Sequence, residues 1–260
     1  SAATCLAAKF LSVDIFLFEP NMVIGKSNRL FLKFSKKIFC YSPDLKNFPK
    51  KYLNKINVIP PLLRREIYDF KNLKKESKKN FQILIIGGSQ GAQIFEKNLI
   101  PLILDLSKKL NIYIYHQVKT NEKNYNELSK IYIDNKIQFK LFNFEEDIYK
   151  YIFNSDIVIT RSGASTLAEL IFLNTPFITI PFQHSKDNHQ LENALYYEKK
   201  GCCWLFEEKN FFTGNSNNFL FNLLKNTEDI IEKKENMKKI SYQNTWNNIN
   251  EILTVNINEN

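Results

Sequence analysis

Glu169 stands three residues after Thr166 in TRSGASTLAEL (160–170), where the apolar run Ile157, Val158, Ile159 breaks into Ser162, Gly163, Ala164 and Ser165. Small side chains at a helix start leave its free N–H groups and positive dipole end open to an anion such as a diphosphate. A carboxylate one turn further on can accept both hydroxyls of a ribose. The same spacing also reads as a capping box, with Thr166 as N-cap and Glu169 reaching back to the backbone. Both readings stand at this level. A second stretch, GGSQGA (87–92), follows the apolar run ending in Ile86. Gly87, Gly88 and Gly91 let the backbone come close to a phosphate, the alternative being a tight turn without ligand. A nicotinamide site would call for G-x-G-x-x-G and a carboxylate after the next strand. Here the spacing is GGxxG, and that strand ends in His116 and Gln117. A third stretch, PFQHSKDNHQLENA (181–194), crowds Gln183, His184, Asp187, Asn188, His189 and Gln190 before a helical pattern. Neutral amides and imidazoles suit the hydroxyls of a sugar. A metal is not expected, because His184 and His189 lie off the helical i,i+4 spacing and no ligand cluster accompanies them.

The elements that must position these loops alternate. Apolar runs at 14–18, 37–41, 56–59, 81–86, 112–118, 137–142, 156–160, 177–180 and 202–206 read as strands. Most are continuous rather than alternating, as strands covered on both faces are. Helical patterns fill the intervals, so the chain reads as α/β with doubly wound parallel sheets. The proline- and lysine-rich run at 60–80 reads as a crossover between two Rossmann-like units. About three strands precede it, which makes the first unit incomplete and leaves it an exposed sheet edge. All three loops then fall at the carboxyl ends of strands in one unit, where open α/β sheets bind ligands. A diphosphate, a ribose and a sugar are the parts of a nucleotide-sugar.

Composition sets the remaining bounds. Hydrophobic residues make up 44% and charged residues 24%, which argues against disorder over most of the length. No run is apolar and long enough for a membrane span, and Ser1 to Phe10 lacks the features of a secretory signal. Cys5, Cys40, Cys202 and Cys203 form no CxxC pair, and Cys202 and Cys203 suit a buried strand better than a disulfide framework. A reducing cytoplasm is the expected setting. The net charge is +11 over residues 1–80 and −2 over 81–260. That asymmetry suits an anionic partner for the first part, whether nucleic acid, phospholipid or phosphorylated substrate, or simply a solvated lysine-rich surface. Nucleic-acid binding would explain the charge but none of the loops. In GKSNRLFLKFSKK (25–37), Lys26, Arg29, Lys33 and Lys37 follow helical spacing, with Leu30, Phe31 and Phe34 able to face inward.

GGSQGA, then Phe144 to Asp147 as F-x-x-D, then TRSGASTLAEL, then PFQHSKDNHQLENA closely resemble the C-terminal half of the MurG family of peptidoglycan glycosyltransferases. FEPN (18–21) occupies the place of that family's HEQN, and LLRREI (62–67) that of its NPVR crossover. The resemblance implies a GT-B fold and transfer of N-acetylglucosamine from UDP-GlcNAc to undecaprenyl-diphospho-N-acetylmuramoyl-pentapeptide, inverting and metal-independent, with no cofactor. It implies Ser89 at the UDP phosphates and Arg64 near the nucleotide-sugar. Glu145 would read the uracil edge with its main chain. Ala164, Ser165, Thr166, Leu167, Ala168 and Glu169 would wrap the diphosphate and ribose, and Gln190 and Asn21 would hold the N-acetylglucosamine. No catalytic residue is expected within the chain, since the family's general-base histidine lies in a GGTGGH loop expected upstream of Ser1.

The implied partners are UDP-GlcNAc, the undecaprenyl-linked acceptor (lipid I) and an anionic membrane surface, with no nucleic acid. The setting would be peripheral, on the cytoplasmic face of the bacterial inner membrane. The expected organisation is an acceptor-side remnant over 1–63, a UDP-GlcNAc-binding domain over 64–235, and a C-terminal helix and tail over 236–260 crossing back to the first domain. Another GT-B enzyme, a UDP-GlcNAc epimerase or a non-catalytic UDP-sugar-binding remnant is the alternative.

Overall fold

The computed structural model describes residues 2–70, 75, 79–119, 122–212, 216–240 and 246–258. The chain opens with α1 (Ala2–Phe10), β1 (Ile15–Glu19), α2 (Lys26–Phe31), β2 (Ser35–Cys40), β3 (Ile56–Val58) and α3 (Arg65–Phe70). It continues with β4 (Phe81–Ile86), α4 (Gly88–Asn98), α5 (Ile100–Ser107), β5 (Ile112–Gln117), α6 (Glu122–Asp134), β6 (Gln138–Phe142) and α7 (Ile148–Asn154). Then come β7 (Ile157–Thr160), α8 (Ala164–Phe172), β8 (Phe177–Thr179), α9 (His189–Lys199) and β9 (Trp204–Leu205), followed by α10 (Glu208–Phe212), α11 (Ser216–Lys225), α12 (Glu228–Ile240) and α13 (Trp246–Asn258).

The strands form two sheets. One has the order β1-β2-β3, the other β6-β5-β4-β7-β8-β9, and every pairing is parallel. In the larger sheet the chain enters at the centre on β4, moves outward through β5 and β6, then crosses back to β7. That reversal is the switch point of a doubly wound sheet, and it opens a crevice beyond the carboxyl ends of β4 and β7. Both faces are covered. Ile83 and Ile85 of β4 pack with Leu102, Ile103 and Leu106 of α5, whereas Leu84 and Ile86 pack with Leu167 and Ile171 of α8. Such two-sided burial is why these strands read as unbroken apolar runs.

The smaller sheet has its own core, with Leu17, Ile38 and Cys40 packed on Phe31 and Leu32 at the end of α2. Its other face meets the last helix. Ile252 and Leu253 of α13 pack against Met22, Phe39, Tyr41 and Ile59, and Lys37 Nζ donates to the Asn256 carbonyl.

Two expectations are corrected here. Helix α2 ends at Phe31 and β2 begins at Ser35, so Lys33 and Lys37 do not share its face, and Leu30 is 61% exposed. The spacing misled because apolar residues around a helix-to-strand corner repeat every three or four positions whichever element holds them. The last strand of the larger sheet is also shorter than its apolar run, with Cys202 and Cys203 buried just ahead of it. All four cysteines are free. No helix among the described residues is long and apolar enough to cross a membrane.

Candidate functional site

At the carboxyl ends of β4 to β7 lies a cleft of about 320 Å³, lined in part by Arg64, Gln117, Phe144, Glu145, Thr166 and Glu169. Glu169 reaches it from α8, a helix that buries Leu167, Leu170 and Ile171 in the core. A carboxylate in such a place needs a partner. Arg64, from the stretch before α3, supplies one, with Nη2 3.5 Å from Glu169 Oε1, and its Nη1 donates to the Glu146 carbonyl at 2.5 Å. Burial raises the Glu169 pKa above the usual carboxylate range, and the Arg64 charge opposes that rise. The capping-box reading is overturned. Helix α8 starts at Ala164 with Gly163 as its N-cap in extended conformation, and no side chain caps it. Thr166 is thus already inside the helix, and Glu169 faces the cleft and Arg64.

The neighbouring loops are braced by side chains from the strand ends. Gln117, the last residue of β5, accepts the Gly88 N–H at 3.0 Å and donates to the Asn143 carbonyl at 3.1 Å. One amide thereby ties the glycine turn after β4 to the loop after β6. Gly88 has φ +64°, a backbone setting that favours glycine, and a Cβ there would meet nothing within 4 Å. The Glu145 carboxylate is held by Lys140 at 3.0 Å, and Lys140 also donates to the Tyr151 hydroxyl. Glu145 and Glu146 precede α7, and Asp147 is its N-cap.

A second polar cluster lies where the two sheets meet. Asn21 donates to Glu19 Oε1 at 2.9 Å, and Glu19, only 3% exposed, also accepts the Gly25 N–H at 2.8 Å. Opposite, Gln190 Oε1 accepts the Phe182 and Ser162 N–H groups at 2.9 and 3.3 Å. Asn193 joins the two sides. It donates to Asn21 Oδ1 at 3.0 Å and to the Ser162 carbonyl at 3.1 Å.

Residues 82–250 match the glycosyltransferase family 28 C-terminal domain. The chain is 48% identical, over its whole length and 72% of the relative's, to the UDP-N-acetylglucosamine–N-acetylmuramyl-(pentapeptide) pyrophosphoryl-undecaprenol N-acetylglucosamine transferase of Pelagibacter ubique. The chain belongs to that family. The enzyme of the same description from Rickettsia canadensis is 32% identical over 91% of this chain and 68% of its own. Among solved structures, MurG of Acinetobacter baumannii superposes with a TM-score of 0.74 at 23% identity, over 96% of this chain and 70% of that one. The UDP-GlcNAc 2-epimerase of Neisseria meningitidis gives 0.68 at 16% identity, over 97% and 72%. These two likenesses speak for a shared fold, that of a GT-B glycosyltransferase.

Against that membership, the residues singled out in the sequence fall into three groups. Arg64, Glu145, Thr166 and Glu169 line one cleft. Asn21 and Gln190 belong to the cluster between the sheets and are bridged through Asn193 and Ser162. Of the rest, Leu167 and Ala168 are buried, so only their main chain can meet a ligand, while Ser165 is exposed and Ala164 half-buried. Ser89 is the second residue of α4, and its side chain lies outside the described residues. None of the three histidines lines the cleft. His116 is buried against the Tyr132 hydroxyl with its pKa pushed down to about 3 by desolvation, His189 Nδ1 meets the Lys186 carbonyl at 2.6 Å, and His184 packs edge-on to Phe182. Sequence reasoning missed Gln117 and Asn193. Both sit inside motifs already noted, but what they do depends on partners 26 to 172 residues away.

Proposed function

We propose that the cleft holds UDP-GlcNAc and that this chain serves the transfer of N-acetylglucosamine to undecaprenyl-diphospho-N-acetylmuramoyl-pentapeptide, with inversion and without a divalent cation. The observation that carries the reading is the buried Glu169 beside Arg64 at the switch point of the larger sheet. A desolvated carboxylate there matches the paired hydroxyls of a ribose, and the adjacent helix N-termini match a diphosphate. Glu145 would offer main-chain groups to the uracil edge, and Gln190 and Asn21 would hold the sugar.

In the reaction the acceptor's C4 hydroxyl oxygen attacks the anomeric carbon from the face opposite UDP. The bond from that carbon to the β-phosphate oxygen breaks, UDP leaves with the electron pair, and the hydroxyl proton passes to a base. This chain's part is to hold the donor and to stabilise the charge growing on the leaving diphosphate. The N-termini of α4 and α8 and the Arg64 guanidinium can do so. The sequence contains no GGTGGH, the loop to which the family resemblance gives the base. A UDP-sugar-binding role without catalysis is therefore the second reading, favoured by the absence of a histidine from the cleft lining. Calorimetric titration with UDP-GlcNAc separates donor binding from no binding. The affinity should stay within about twofold whether EDTA or magnesium is present; binding only with magnesium would sink the metal-free reading.

The first part of the chain is proposed to meet an anionic membrane surface peripherally, on the cytoplasmic face. Phe10 and Leu11 at the end of α1 are 85% and 75% exposed, Lys9 and Lys33 lie over the neighbouring Phe34 ring, and Lys36 pairs with Asp14. Each basic residue near such a surface contributes on the order of 1 kcal/mol. The chain should sediment with vesicles containing anionic phospholipid and stay in solution with purely zwitterionic ones. Equal sedimentation with both would remove the electrostatic part of this proposal.

A further inference from the structure

We infer that Asn193 is a positioning residue, which sets Asn21 for the sugar of the donor by locking it between the two sheets. The inference rests on the donor-site reading above. Asn193 is 1% exposed and lies one turn into α9, on the turn after Gln190. Its Oδ1 accepts the Met22 N–H at 2.8 Å, and its Nδ2 donates to Asn21 Oδ1 at 3.0 Å and to the Ser162 carbonyl at 3.1 Å. A single amide thus holds the turn after β1 in the smaller sheet and the turn that opens α8 in the larger one.

The consequence for Asn21 is directional. A primary amide has two donor hydrogens and one acceptor oxygen. Asn193 claims the oxygen of Asn21, and Glu19 Oε1 claims one hydrogen. The other hydrogen is left to point at a ligand. Gln190 is held in the same sense, because two backbone N–H groups occupy its oxygen and its NH2 group remains. Two amides from opposite sheets therefore turn their acceptors into the protein and present donors, which is what the hydroxyl and acetamido oxygens of a sugar call for. Without Asn193 only the Glu19 bond would hold the Asn21 amide, which could then swing about it and lose its aim at the sugar.

A staple that merely held the sheets together would not discriminate between ligands, and this separates the two roles. UDP and UDP-GlcNAc are titrated into the whole chain and into Asn193→Asp, Asn21→Ala and the double variant. Asp keeps an acceptor for the Met22 N–H but sets a carboxylate against the oxygens of Asn21 and Ser162. Asn193→Asp should bind UDP-GlcNAc about tenfold more weakly, the worth of one or two hydrogen bonds, while its affinity for UDP changes less than about threefold. The double variant should be no weaker than Asn21→Ala alone to within about twofold. Should Asn193→Asp fail to fold, as thermal melting would show, Asn193→Ser takes its place with the same expectations. Equal losses for UDP and UDP-GlcNAc, or additive losses in the double variant, would overturn the assignment. A folded wild-type chain that binds neither nucleotide would instead overturn the donor-site reading, and this inference with it.

Discussion

Glu169→Ala should bind UDP-GlcNAc about ten- to a hundredfold more weakly than the wild-type chain and melt at the same temperature or slightly higher. The loss follows from the hydrogen bonds that a ribose would give to this carboxylate, each charge-assisted and worth roughly 1.5–3 kcal/mol. The stability side runs the other way. Burial costs the ionised carboxylate much of its hydration, and Arg64, 3.5 Å away with its side chain 42% exposed, returns only part of it. Freed of its partner, Arg64 can turn to water. A loss of melting temperature together with unchanged affinity would mean that Glu169 is a structural ion-pair residue.

The same carboxyl gives the site a pH dependence of known sign. Its pKa in the folded protein lies above that of the unfolded chain, so the folded state holds the proton more readily. Ionisation of Glu169 therefore costs stability at neutral pH, and that cost disappears as pH falls through the raised value. Donor binding behaves oppositely, because a protonated carboxyl can no longer accept from both ribose hydroxyls. UDP-GlcNAc affinity should fall on acidification, beginning at a higher pH than the roughly 4.3 of an ordinary glutamate. UDP-GlcNAc has no group of its own that titrates there. Titrations of Glu169→Gln should lose this acid-side fall, and a fall that persists would assign it to another group.

Arg161→Met is expected to be the most destabilising single change in the turns around the cleft, by about 3 kcal/mol, or a melting temperature lower by about 10 °C. Arg161 follows β7 and its side chain is 7% exposed. It meets Glu208 at 2.8 Å, donates to the Ile180 carbonyl at 2.9 Å and lies 4.9 Å from the centre of the Phe95 ring. It ties the ends of β7 and β8 to α4 and α10. Methionine keeps the bulk but leaves the Ile180 carbonyl and Glu208 without their partner. Adding Glu208→Leu should recover about half of the loss, because a buried pair replaced as a whole costs far less than one broken. A drop below about 1 kcal/mol in chemical denaturation of Arg161→Met would show that the turn holds without it.

All nine strands were legible as apolar runs, most plainly β4, β7 and β8, which are covered on both faces and buried at nearly every position. The order of the strands was not, since it depends on which edges pair. Of the residues that line the cleft, Thr166 and Glu169 were readable from their own loop, whereas Arg64 and Glu145 came only through the family resemblance. Two local rules failed for local reasons. T-x-x-E satisfies the capping-box pattern wherever it falls, yet Gly163 begins the helix before Thr166 is reached. The basic run at 25–37 keeps helical spacing across a corner between α2 and β2. Asn193 was out of reach for another reason. A buried amide is defined by its partners, and Asn21 is 172 residues away in the chain.

The contact of α13 with the smaller sheet also sets an order in time. Met22, Phe39, Tyr41 and Ile59 leave the ribosome long before Ile252 and Leu253, which cover them. The smaller sheet is laid down well before the helix that covers it. Until α13 is made, that apolar face stands open to other nascent chains, a hazard for parallel sheets closed by distant segments.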